Sequence, residues 1–272
     1  VRRRVIADGG GEERVVEGYL ISGEKRWIGN AGASDVFIVW AKNMSLEGHP
    51  VMGFIVERSQ QQSPTAISTT KIEGKISMRM VQNADVRFNE AWCPIENVMD
   101  QYVGFGKSVG RVLGKTRIHV FWLPVGVSMG ALDIATEFAK QRRAFNAPLS
   151  SNQLVQEKLA RMTAMVYSIY LLAEKTTTEF EKGKCALPAI AMAKAYNSLI
   201  GRKVVALARE ILGGNGIVLE YKIASKFADM ESIFTYEGTY DINALVCGRA
   251  ITGVPAFKSG VAVKNEFKAQ SK

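Results

Sequence analysis

Cysteine and histidine are scarce in this sequence, which has three of the first and two of the second among 272 residues. Cys93, Cys185 and Cys247 are odd in number, far apart and free of any C-x-x-C pairing. That excludes a disulfide framework and a zinc site, and makes a reducing compartment the default. His49 and His119 have no metal-type spacing, so each is expected to be structural and no metal is expected. No long apolar run is present either. The longest uncharged stretch, around His119 to Leu132, is too short for a bilayer and contains Pro124, so no membrane span is expected. No internal repeat or low-complexity tract is found, and no G-x-G-x-x-G fingerprint follows a strand. Val1 is not a start methionine, so the chain is expected to be processed or a fragment.

What is present is a globular composition, with 47% hydrophobic residues, and a basic balance, with a formal net charge of +9. Such a charge suits an anionic partner. The cations are scattered, however, and the one dense run is Arg2-Arg3-Arg4. Without a basic stripe interleaved with aromatics, nucleic acid is not expected as a partner.

The pattern changes near residue 104. Before it, short runs alternate and are punctuated by turn residues: Glu17 to Ile28, Asp35 to Ala41, Gly53 to Glu57, and Ala84 to Phe88 ahead of a loop holding Pro94. After it, apolar residues recur at helical spacing over Gly106 to Arg143, Gln153 to Glu181 and Pro188 to Leu212, and shorter helices are expected over Glu220 to Asp229 and Asp241 to Arg249. The reading is α+β, with a small antiparallel β-domain over 1–103 and an antiparallel helical bundle over 104–272.

The most informative stretch is Thr235-Tyr236-Glu237-Gly238-Thr239-Tyr240-Asp241. Glu237 is expected just before a helix N-terminus, on a bend that Gly238 permits, with apolar neighbours. Apolar burial and a helix dipole act on a carboxylate in opposite directions, so such a group can serve as a tuned general base. It can equally do no more than complement the dipole. Three other motifs carry paired readings. Gly213-Gly214-Asn215-Gly216 caps a long helix, and also lets backbone N–H groups approach a phosphate. Arg142-Arg143-Ala144-Phe145 complements a helix C-terminus, or clamps a pyrophosphate. Trp27, in Lys25-Arg26-Trp27-Ile28-Gly29-Asn30, is a core residue or a cofactor platform.

In this order and spacing, K-R-W-I-G-N, R-R-A-F, I-L-G-G-N-G and Y-E-G-T resemble the acyl-CoA dehydrogenase and acyl-CoA oxidase flavoproteins. The resemblance spans essentially the whole chain, as the middle β-domain less its start and the C-terminal helical domain. Ser77 to Asn83, Trp122 to Gly126 and Tyr240 to Asn243 look most like the short-chain acyl-CoA oxidases of plant peroxisomes. Gly248 to Gly253 is similar to glutaryl-CoA dehydrogenase.

The resemblance implies FAD as cofactor, a short-chain acyl-CoA as substrate, and a homodimer or homotetramer. Glu237 is implied as the base for the α-proton, with Gly238 and Arg117 at the thioester. Trp27 is implied beside the flavin ring, Arg142 and Phe145 at a neighbouring subunit's FAD, Gly213 and Gly214 cradling that FAD, and Thr239 holding the subunit's own. Oxygen is the implied electron acceptor, since Gly29 stands where family dehydrogenases often have threonine. The alternative is a dehydrogenase passing electrons to a flavoprotein, and a second is a non-catalytic assembly subunit. Ala144 and Glu210 also depart from the family's threonine and glutamine. The family's N-terminal helical domain and its T-E-P-x-x-G-S-D segment are missing, and the sequence is expected to be the retained portion of an enzyme. Gln270-Ser271-Lys272 falls one leucine short of a peroxisomal S-K-L signal, so a peroxisome is the expected location and the mitochondrial matrix the alternative.

Overall fold

A computed structural model describes residues 2–7, 13–104, 106 and 109–254, and the side-chain environments of those from residue 15 onward other than 110 and 111. The tail Gln270-Ser271-Lys272 lies outside the described residues. Contacts divide the chain into two units, Val1–Leu113 and Gly114–Lys272.

The first unit is antiparallel β. Strands β1 (Arg2–Ala7), β2 (Glu13–Gly29), β5 (Ile67–Lys71) and β6 (Asn83–Pro94) form one sheet in the order β1-β2-β6-β5. Strands β3 (Val36–Lys42), β4 (Val51–Glu57) and β7 (Val98–Met99) form another in the order β3-β4-β7. The alternation of β3 decides its orientation. Phe37 and Val39 are buried while Val36 and Ile38 face solvent. Phe37, Val39, Phe54, Val56, Ile67, Val86, Phe88 and Cys93 share one core, each large apolar side chain contributing about 1.5–3 kcal/mol by burial. Burial pushes the Cys93 thiol up to about 12, so it remains protonated and inert.

Strand β6 differs from the sequence expectation, because it does not stop at Phe88 but runs on through Pro94. Its C-terminal half is pinned by pairing with β2, from Ala91 against Ile21 to Pro94 against Gly18. Pro94 is tolerated because it is the last residue of the strand.

The second unit is helical. Helices α1 (Val109–Gln141), α2 (Gln153–Glu181), α3 (Leu187–Leu212), α4 (Ile223–Thr235) and α5 (Tyr240–Thr252) follow in order. Pro188 sits in the first turn of α3, where a missing N–H costs nothing, and Gly213 ends that helix. Helix α3 is the centre of the bundle, and its buried face includes Lys194, Asn197 and Ser198 besides apolar residues. The Asn197 amide donates to the Phe121 carbonyl of α1 and the Ile169 carbonyl of α2, each at 3.1 Å, so one side chain ties three helices. The Trp122 indole N–H donates to the Thr177 hydroxyl at 2.9 Å.

By length and composition, residues Val112–Gln141 within α1 could cross a membrane. Yet Phe121, Val125, Ala131, Ala135 and Ala139 are buried within the helical unit, as expected of a core helix. Several helix boundaries differ from the sequence reading. Helix α1 stops at Gln141 because Arg143–Ala144 pairs with Ala147–Pro148 as a small hairpin. Helix α4 runs six residues past Asp229, its last turns anchored by buried Met230 and Ile233.

Candidate active site

The turn between α4 and α5 comprises residues 236–239. Glu237 has φ +54° and Gly238 has φ +87°. A left-handed backbone at a non-glycine residue costs on the order of 1–2 kcal/mol, so its neighbours must hold it. Several do. The Asn243 amide donates to the Gly238 carbonyl at 2.8 Å and the Thr239 carbonyl at 3.0 Å. The Lys194 ammonium donates to the Phe234 carbonyl at 3.1 Å and the Gly238 carbonyl at 2.6 Å. Phe234 and Tyr240 stack across the turn with centroids 5.9 Å apart, and Arg202 lies 4.4 Å over the Phe234 ring. Thr239 caps α5, its hydroxyl accepting from the Ile242 N–H at 3.3 Å. Glu237 therefore stands just ahead of a helix N-terminus on a Gly238 bend, as the sequence indicates.

The charges around the turn are unusual. Glu237 is half-buried and its Oε2 accepts from the Thr116 hydroxyl at 3.2 Å. The next residue on α1, Arg117, is buried, and its Nε has no hydrogen-bond partner among the described residues. A Cβ on Gly238 would lie 3.3 Å from the Arg117 guanidinium, which places that cation against the turn. Lys194 is fully buried. Burial pulls its ammonium down to about 8, repulsion from Arg117 adds to that, and Glu237 opposes it. Burial, and then the Glu237 charge, pushes the Tyr236 phenol up. One carboxylate thus faces two cations in a partly dry site, an arrangement able to receive a proton and to hold an anionic or polarised oxygen.

The structure brings Glu237, Gly238, Thr239 and Arg117 together. The other residues singled out from the sequence lie elsewhere. Arg142 and Phe145 belong to the hairpin after α1, where Phe145 (φ +51°) and Asn146 (φ +61°) form the tip. The Phe145 ring is fully exposed. The exposed Arg142 guanidinium has no side-chain partner among the described residues, whereas Arg143 bonds the Asn146 carbonyl at 2.7 Å. Gly213 caps α3 at φ +57° and ψ −129°, a conformation open only to glycine. Gly214 beside it is exposed, with open space where a side chain would stand. Glu210 pairs with Lys158 at 3.7 Å.

Trp27 lies in the β unit with φ +66°, and is more than half exposed rather than a core residue. Asn83 donates to its carbonyl at 3.1 Å and the Arg26 guanidinium lies 5.2 Å from its ring. Sequence reasoning missed Thr116, Lys194 and Asn243 as parts of the turn. A lysine amid the apolar run Ala189 to Ile200 was a signal for one of them, since a buried cation needs acceptors. Among the described residues no His, Cys, Asp and Glu cluster could hold a metal.

Comparison with known proteins agrees with this geometry. The family model of the acyl-CoA dehydrogenase middle domain matches residues 7–91, and that of the acyl-CoA dehydrogenase C-terminal domain matches residues 104–252. The short-chain-specific acyl-CoA dehydrogenase of Megasphaera elsdenii is 30% identical over 86% of this chain and 60% of its own length. The caffeyl-CoA reductase–Etf complex subunit CarC of Acetobacterium woodii is 29% identical over 84% of this chain and 59% of its own. The crystal structure of a glutaryl-CoA dehydrogenase from Mycobacterium smegmatis in complex with FADH2 superposes with a TM-score of 0.82 at 28% identity, over 95% of this chain and 63% of that one. The chain thus spans about 60% of the length of these curated relatives. With both family models covering most of its residues, the chain belongs to the acyl-CoA dehydrogenase family.

Proposed function

We propose that this chain is the middle and C-terminal part of an FAD-dependent acyl-CoA dehydrogenase that forms a double bond between Cα and Cβ of a short-chain acyl thioester. The observation that carries the reading is the placement of Glu237 on a strained turn beside Thr116, Arg117 and Lys194. Glu237 takes the α-proton on its carboxylate. A thioester α-proton is weakly acidic, so the base acts together with donors that stabilise the carbonyl oxygen as charge develops. Arg117 has a donor at Nε that the described protein leaves unused.

The residues present also fit FAD. A diphosphate calls for a cation with free donors, and Arg142 is exposed and unpaired among the described residues. An adenine calls for an uncovered ring, and Phe145 is fully exposed. Gly213 and Gly214 leave backbone uncovered at the end of α3. In the helical unit Thr239 at the α5 N-terminus is a further proposed cofactor contact and Gly238 joins Arg117 at the thioester; in the β unit the exposed Trp27 ring is proposed as a flavin contact. When bound, FAD supplies the acceptor for the β-hydride. The enzyme is proposed to work as a homodimer or homotetramer.

The sequence expectation favoured oxygen as electron acceptor. The relatives found are dehydrogenases and reductases, one of them named as a subunit of an Etf complex, which favours transfer to a flavoprotein partner. One observation keeps the oxidase as a second reading. A Cβ at Gly29 would meet only Val81 Cγ1, at 3.9 Å, so the space a threonine would fill is open. Stopped-flow reoxidation of the full-length protein, reduced by a short acyl-CoA and then exposed to air, separates the two. Reduced flavin that persists in air with product bound supports the dehydrogenase, and rapid reoxidation with peroxide release supports the oxidase.

A further inference from the structure

Lys194 projects from the centre of α3 and is fully buried, yet its charge has no carboxylate in hydrogen-bond contact among the described residues. Its ammonium instead meets two backbone carbonyls, Phe234 O at 3.1 Å and Gly238 O at 2.6 Å. These carbonyls bracket Glu237, one before it in the last turn of α4 and one directly after it. A buried ammonium without good partners is costly, by several kcal/mol, so a purely structural role would be filled more cheaply by an apolar side chain. Two features make the cation worth retaining here. Glu237 is left-handed and needs restraint on both sides. It is also a carboxylate, whose charge and that of Lys194 attract one another.

We propose that Lys194 is a positioning residue for Glu237, holding the turn by the carbonyls on either side of it and placing there a buried positive charge that attracts the carboxylate. This rests on Glu237 being the base. The charged groups facing Lys194 are Arg117 from α1 and Glu237 from the α4–α5 turn. Tyr236 on that turn also feels Glu237. The phenol is neutral at physiological pH, because burial pushes it up. Besides burial, the Lys194 charge answers to Arg117, which disfavours it, and to Glu237, which favours it. Lys194, pulled down to about 8, is still mostly charged at pH 7.

The test uses the full-length FAD-loaded protein. Lys194→Met keeps the length and apolar stem but removes both donors and the charge. Flavin reduction by a short acyl-CoA should slow about 10–100-fold, as for losing hydrogen bonds from a charged group. FAD content and the dissociation constant of the enoyl-CoA product should stay within about threefold of wild type, whereas a merely structural lesion would move them too. Lys194→Gln, which keeps two N–H donors without the charge, should recover most of the rate. Rates within threefold of wild type for Lys194→Met overturn the proposal. If Lys194→Met does not fold, lysine-labelled NMR decides the matter without any activity. One lysine should titrate near pH 8 in the wild-type protein, and its midpoint should fall in Glu237→Gln; identical midpoints overturn the proposal. An inactive Lys194→Met beside a fully active Glu237→Gln would instead overturn the reading of Glu237 as base.

Discussion

The Thr116 hydroxyl donates to Glu237 Oε2 at 3.2 Å, linking α1 to the turn before α5 across 121 residues of sequence. The bond aims one carboxylate oxygen and leaves the other free. Thr116→Val keeps the shape and removes the donor. A hydrogen bond of this kind is worth about 0.5–1.5 kcal/mol, so flavin reduction by substrate should slow roughly 2–10-fold, and Thr116→Ser should restore it. Equal rates for the valine and serine variants would show that the hydroxyl does not orient the base.

Arg142 offers a separation of cofactor binding from folding. It is exposed and unpaired among the described residues, so Arg142→Ala removes no side-chain hydrogen bond or ion pair among them. The melting temperature of the apoprotein should not change. FAD should bind about 10–100-fold more weakly, the loss expected for one charge-assisted phosphate contact. Fluorescence titration of apoprotein with FAD measures it, and unchanged affinity would remove Arg142 from the cofactor site.

The two glycines after α3 should behave differently. Gly213 has a backbone conformation that a side chain strains, so Gly213→Ala should cost about 1–3 kcal/mol in chemical denaturation. Gly214 has ordinary φ and open space around it, so Gly214→Ala should leave stability nearly unchanged. If the turn cradles FAD, both variants should weaken FAD retention. A Gly214→Ala protein with wild-type FAD affinity would confine this turn to helix capping.

Lys194 also predicts how stability depends on pH. Its ordinary value in an unfolded chain is about 10.4, and in the folded protein burial brings it to about 8. Between these values the unfolded chain binds more protons, so stability from this group rises with pH. The cost of burying the ammonium is fully present below pH 8 and is relieved as pH climbs towards 10.5, by up to about 3 kcal/mol. Denaturant unfolding of wild type and Lys194→Met from pH 7 to 10 should therefore diverge in the wild type's favour as pH rises. Parallel curves would mean that Lys194 is not perturbed.

Much of this arrangement was legible in the sequence because local rules carry it. Gln153–Glu181 could be read to the residue from its apolar period. The Glu237 turn was marked by its glycine and by the capping threonine. Strand β6 was cut short because Pro94 reads as a terminator, and only pairing with β2 reveals that the strand continues to it. The exposure of Trp27 was also hidden, since a tryptophan reads first as core, and its positive φ and exposed ring show only in the folded chain. Thr116, Lys194 and Asn243 escaped for a different reason. Their role depends on carbonyls and a carboxylate brought near by tertiary packing, and beyond a lysine standing in an apolar run nothing within their own helices announces it.

The central claim, that Glu237 removes the substrate's α-proton, is most directly tested by anaerobic stopped-flow reduction of the FAD-loaded full-length protein by a short acyl-CoA, comparing wild type with Glu237→Gln. Glutamine keeps the shape and the acceptor for Thr116 but cannot take up the proton. The account predicts retained FAD, retained acyl-CoA binding and a reduction rate lower by roughly 10²–10⁴-fold. Flavin bleaching at a near wild-type rate in Glu237→Gln would contradict it.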